Sequence, residues 1–175
     1  LKGGKAGSDL VSADGIGSNV TLDGGGYSIK MLKADKGGII TLKTNPDSPN
    51  EIKGIHSGED SAVNVTVEGG NSKLIGDVTG TGAVKLDIGN NGTWTGKSSN
   101  ENTDATVNST WKNTGETKLK KLGGSGTVDM TQSGEGKTEI KEYNGTLTLI
   151  YAHENANPVN MKGNNFHIGK AAEGS

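Results

Sequence analysis

The chain has 175 residues with 18 basic and 20 acidic side chains, a net charge of −2, and no Cys. Lack of Cys removes disulfides, thiolate metal sites and thiol nucleophiles together. Every basic residue is Lys, so the guanidinium fork that reads phosphates and guanine edges is missing and a nucleic-acid partner is not expected.

Leu, Ile, Val and Phe together make up about 19% of the chain, just under the level usual for folded domains. The near-neutral charge lacks the other half of the disorder signature. No apolar run approaches the ~18 residues of a membrane-spanning helix, so no membrane contact by this segment is expected. The chain opens at Leu1 with no apolar leader and no initiating Met, and is expected to be a piece of a longer protein. In place of apolar mass it carries Gly, Thr, Asn and Ser, which together approach half of the chain. Such a composition makes either a loose linker or many short strands joined by turns. Order along the chain decides between them.

Apolar residues recur at i and i+2, the period of a strand with one buried face. In chain order the segments begin at Val20, Ile40, Val63, Val84, Val107, Val128, Leu147 and Phe166, a nearly even spacing. A second series lies between them at Ile29, Ile52, Ile75, Trp94, Leu119, Ile140 and Val159, with much the same step. Turn formers punctuate both: Asp23 to Gly26, Gly69-Gly70-Asn71, Gly89 to Gly92, Gly123-Gly124, Asn144-Gly145 and Asn164-Asn165.

Two interleaved strand series with one period of about 20 residues describe a solenoid. Helical solenoids and leucine-rich repeats fail, because no segment this rich in Gly and β-branched residues carries an amphipathic helix. The expected fold is all-β: a right-handed parallel β-helix (β-solenoid) of about eight rungs of roughly 20 residues, spanning residues 1–175. Each rung points a few side chains inward onto their counterparts above and below, so a thin continuous core forms from few apolar residues. At about 4.8 Å per strand, eight rungs make a rod roughly 38 Å long.

Candidate chemical sites are sparse. His56, His153 and His167 lack short metal-ligand spacing and read as surface or loop residues. Glu59-Asp60 is the tightest acidic pair. Glu139 and Glu142 stand three apart on one strand, which predicts opposite faces and argues against a paired-carboxylate glycosidase. Gly24-Gly25-Gly26-Tyr27 lacks the Asp of a calcium-binding nonapeptide. Gly123-Gly124-Ser125-Gly126 has no Lys-Ser/Thr after it and reads as a turn between rungs rather than a phosphate loop. Five Asn-x-Thr sequons, at Asn19, Asn64, Asn91, Asn108 and Asn144, barely exceed chance, and Asn stacked rung on rung has a structural use as amide ladders. Trp94 and Trp111 sit in two Thr-Trp units, Thr93-Trp94 and Thr110-Trp111. Each is read first as closing a rung corner over apolar neighbours, and second as an exposed aromatic for sugar or partner contact. No catalytic, cofactor or metal residue is assigned.

Gly76 to Met130 resembles the passenger domain of bacterial autotransporters (type V secretion) of the pertactin-like β-helix kind. The likeness rests on Val84 to Gly89, then Gly92-Thr93-Trp94-Thr95-Gly96, then Trp111-Lys112-Asn113-Thr114-Gly115, then Leu119 and Leu122 before Gly123-Gly124. Gly145 to His153 with Pro158 continues it. The second Trp unit departs from that pattern by following only one rung after the first. The resemblance implies export and display outside the outer membrane of a Gram-negative bacterium, anchored through a downstream barrel. Passengers of that kind include adhesins, proteases and toxins; with no Gly-x-Ser-x-Gly-like elbow and no His in a nucleophile context here, a non-enzymatic adhesin or stalk without cofactor is expected, contacting host or matrix molecules, glycans, or identical passengers on neighbouring cells. The alternative is a polysaccharide-acting β-helix enzyme, a lyase or glycosidase.

Overall fold

Alternating apolar residues fold as the two-residue period requires. The computed structural model describes residues 5–134, 136–151 and 165–171, and these form seventeen strands with no helix among them. The pairings are parallel and join each strand to the one a full turn later, so no hairpin occurs among the described residues. One stack, sheet A, runs through β2 (Asn19–Asp35), β3 (Ile39–Thr44), β6 (Ala62–Glu68), β9 (Ala83–Gly89), β11 (Thr103–Val107), β13 (Thr117–Gly124), β15 (Lys137–Gly145) and β17 (Asn165–Ala171).

Sheet B begins with β1 (Lys5–Asp14) on the second half of β2. It continues through β4 (Asn50–Ile52) with β5 (Ile55–Ser57), and β7 (Ser72–Ile75) with β8 (Val78–Gly80). Single strands then follow: β10 (Thr93–Gly96), β12 (Thr110–Asn113), β14 (Thr127–Asp129) and β16 (Thr148–Ile150). The molecule is a parallel β-solenoid of about seven turns, one fewer than the eight expected. Asp23 to Gly26 is no turn between strands. It is a corner inside the continuous β2, where the register shifts between Asp23 and Gly25 and Gly24 takes φ 67°.

The core consists of rows running down the rod. On sheet A, Leu22, Leu42, Val65, Leu86, Ala105 and Leu122 stack in register. On sheet B, Ile29, Ile52, Leu74, Trp94, Trp111, Val128 and Leu149 do the same. Each large aliphatic so buried contributes roughly 1.5–3 kcal/mol. Few apolar residues suffice because each packs against a like residue on both neighbouring turns.

The first four members of the first predicted series, Val20, Ile40, Val63 and Val84, do stack on one another. Beyond them the fixed period loses phase. Thr93 pairs with Thr110, Thr110 with Thr127, and Asp104 with Lys121, each a shorter advance than any step from Val20 to Val84. These short turns carry Val128 and Leu149 into sheet B, while Leu119 and Ile140 fall into sheet A. Val107 stays in sheet A but stacks on Ile88. Ile75 points outward and is 42% exposed, because the adjacent Leu74 takes the inward place over Ile52. Val159 lies outside the described residues.

The short turns have a local cause. The earlier turns place two strands in sheet B, whereas from β10 onward each turn places one. Where the second strand ran, only the bridge of Val78 to Ser98 remains. Polar residues fill that corner and bond across turns. Asn113 Nδ2 donates to Thr138 Oγ1 at 2.8 Å, and Asn113 Oδ1 accepts from Thr117 Oγ1 at 2.9 Å. Asn100 Nδ2 donates to Gly82 O at 2.9 Å. In an earlier turn, Asn50 Oδ1 accepts from the Tyr27 amide at 2.9 Å while its Nδ2 donates to Ser72 Oγ at 2.9 Å. The buried asparagines therefore bond to hydroxyls and backbone on adjacent turns, not to one another as amide ladders.

Candidate binding face

Trp94 and Trp111 are fully buried. Their rings stack at 4.6 Å between centroids with 7° between planes. Each indole N–H donates at 3.0 Å to a backbone carbonyl, Trp94 to Gly76 and Trp111 to Gly96. A Cβ on Gly96 would collide with the Gly76 carbonyl oxygen, so glycine is what lets the corner close beneath the rings. The indoles belong to the core, and their reading as exposed contact residues is overturned: their polar ends are bonded and their faces covered.

The outward face of sheet A carries a run of ion pairs towards its C-terminal turns. Between the buried Leu119 and Leu122 stand two exposed lysines, Lys120 and Lys121, so the alternation slips there by one residue. The slip repeats one turn later at Lys141-Glu142. It puts Glu139 and Glu142 both toward solvent, against the expectation of opposite faces. Glu139 contacts Lys137, and Glu142 accepts from Lys121 Nζ at 3.0 Å. The slip also completes one column, in which Lys85, Asp104, Lys121, Glu142 and Lys170 pair in register on β9, β11, β13, β15 and β17. Charge alternates at every strand.

Neighbouring ammonium groups set the ionisation of this face. The hydrogen bond and charge of Lys121 hold the Glu142 carboxyl below the usual range, and Glu142 in turn raises Lys121, with a smaller push from Asp104. Glu101 bridges Lys141 at 3.1 Å and Lys118 at 3.2 Å, and both hold its carboxyl down. Asp104 Oδ1 is shielded from water and has no hydrogen-bond partner among the described residues. Beside the column runs an open trough of about 550 Å³, with Thr106, Gly123 and Asn144 along its side.

The other predicted positions scatter. His167 is exposed on β17, opposite Glu139. Glu59 and Asp60 are exposed in a turn, Asp60 with φ 57°. His153 lies outside the described residues. Gly123 and Gly124 end β13 and lead through Ser125-Gly126 into β14, the turn between rungs that was expected. All five sequon asparagines face outward, Asn64 half-buried and Asn19, Asn91, Asn108 and Asn144 exposed. His56 is the one histidine among the described residues with close polar neighbours: Nδ1 lies 3.1 Å from Thr79 Oγ1 and Nε2 lies 3.5 Å from Asp35 Oδ1. The Thr79 hydroxyl also lies 3.1 Å from the Ile55 carbonyl, so this trio ties three successive turns together. Among the described residues no three His, Cys, Asp or Glu side chains converge as a metal site.

The fold and this face define a parallel β-solenoid with a register-locked, charge-alternating surface. No family model matches the chain, and no curated protein or solved structure is significantly similar to it.

Proposed function

We propose that the chain is a non-enzymatic adhesin or stalk segment of an autotransporter passenger, displayed outside a Gram-negative outer membrane. One observation carries this reading: side chains on the outward face of sheet A repeat in register at one strand spacing, so weak polar contacts multiply along the rod. The β-solenoid is compatible with a passenger domain of that kind. The outward carboxylates best placed for acid-base work, Glu101, Glu139 and Glu142, are each engaged by lysine, which supports contact over catalysis. The targets are matrix molecules, glycans or identical rods on neighbouring cells.

The test is attachment. Beads coated with the purified chain, or cells displaying it behind a heterologous anchor, should adhere to matrix-coated surfaces or to one another above an uncoated control. Absence of both, alongside turnover of a polysaccharide by the same preparation, would replace the adhesin with the enzyme.

A further inference from the structure

We propose that the trough beside the Lys85–Asp104–Lys121–Glu142–Lys170 column binds an extended acidic polysaccharide bearing one carboxylate per disaccharide. This inference rests on the adhesin reading and names its ligand. The lysines stand on every second strand, about 9–10 Å apart along the rod. That is the length of a disaccharide in an extended chain, so successive ligand carboxylates fall at the lysine positions, Lys121 being already paired with Glu142, and each intervening acid meets the neutral sugar.

The details fit that alternation. Lys85 and Lys170 form no ion pair among the described residues, which leaves two ammonium groups for ligand carboxylates. Alongside, the Thr106 hydroxyl and Asn144 amide flank Gly123, where no side chain fills the floor. A polymer one sugar wide lies in such a trough, whereas the flat face of a second rod would span it without filling it. Complementary charge supplies selectivity more than raw affinity, so binding is expected to be weak per site and sensitive to salt.

The experiment titrates the whole chain with hyaluronan oligosaccharides, which carry a carboxylate on alternate sugars. Polygalacturonate, charged on every sugar, and uncharged dextran serve as comparisons, and K85Q/K170Q is the variant. Both lysines are exposed, and far-ultraviolet circular dichroism should show the variant folded as the parent. Expected are preference for hyaluronan over both other polymers and about tenfold weaker binding by the variant. Equal binding of polygalacturonate, unchanged affinity in the variant, or no binding to any of the three would overturn the inference. The attachment assay separates the two readings. A chain that ignores all three polymers yet still attaches keeps its adhesin role through another surface; one that does neither loses both.

Discussion

The turns built on β3 to β9 and those built on β10 to β14 solve one packing problem in two ways. The former use two strands per turn in sheet B and bury aliphatics on each, as with Ile52 and Ile55, then Leu74 and Val78. The latter drop the second strand, shorten the turn, and place Ser98 where the apolar Val78 had been, with the buried Asn100 close by in sequence. What they lose in number they regain in size, since two stacked indoles stand in the same turns as the small Ala105 and the medium Val107. Large against small fills the interior at native density without extra residues. Solenoid turns can therefore shrink when one large aromatic replaces several aliphatics, provided the vacated corner is hydrogen-bonded throughout.

The largest effect should come from breaking a row shared by both regions. Leu86→Asp buries a charge with no partner in the sheet A row and should unfold the rod, seen as loss of the β-sheet circular dichroism signal. Next, Trp94→Ala should cost about 3–5 kcal/mol in urea unfolding. A double-mutant cycle with Trp111→Ala should show a coupling of about 0.5–1.5 kcal/mol from ring stacking. Zero coupling would mean that the short turns do not depend on the pair. Asn113→Ala removes the donor to the Thr138 hydroxyl and the acceptor shared by the Thr117 hydroxyl and the Gly115 amide, and should cost about 1–3 kcal/mol.

Surface charge should matter least. Lys85→Asp sets two acids side by side with Asp104 on the exposed face and should cost under about 1 kcal/mol. If it matched Leu86→Asp, the inward and outward assignments on β9 would be wrong. The carboxyl of Glu101 ionises below its ordinary range beside Lys141 and Lys118, so its contribution is fully present above the unfolded value and fades as pH falls through the folded one. Glu101→Gln should therefore lower the urea midpoint slightly at pH 7, and the gap from the parent should close in acid, once the folded carboxyl is protonated.

The solenoid itself was legible because buried strand faces impose alternation and stacked turns impose a period. Val20, Ile40, Val63 and Val84 even revealed their register. Register was lost at the two Thr-Trp units, since a count tuned to the longer early turns slides past the shortened ones and swaps the sheets. The closer spacing of Trp94 and Trp111 was visible, but its meaning depended on which backbone segments had been deleted. The charge column was hidden for the same reason. Lys85, Asp104, Lys121, Glu142 and Lys170 become neighbours only through exact register and the one-residue slips beside Leu122 and Glu142. The trio of Asp35, His56 and Thr79 is likewise a product of register.

The two indoles are the only tryptophans in the chain. Parallel rings this close couple as chromophores, so tryptophan fluorescence reports on a single junction in the middle of the rod. Pulled from its ends or melted from either tip, the protein should keep that optical signature until the fraying front arrives, which gives it a built-in gauge of how far unwinding has travelled.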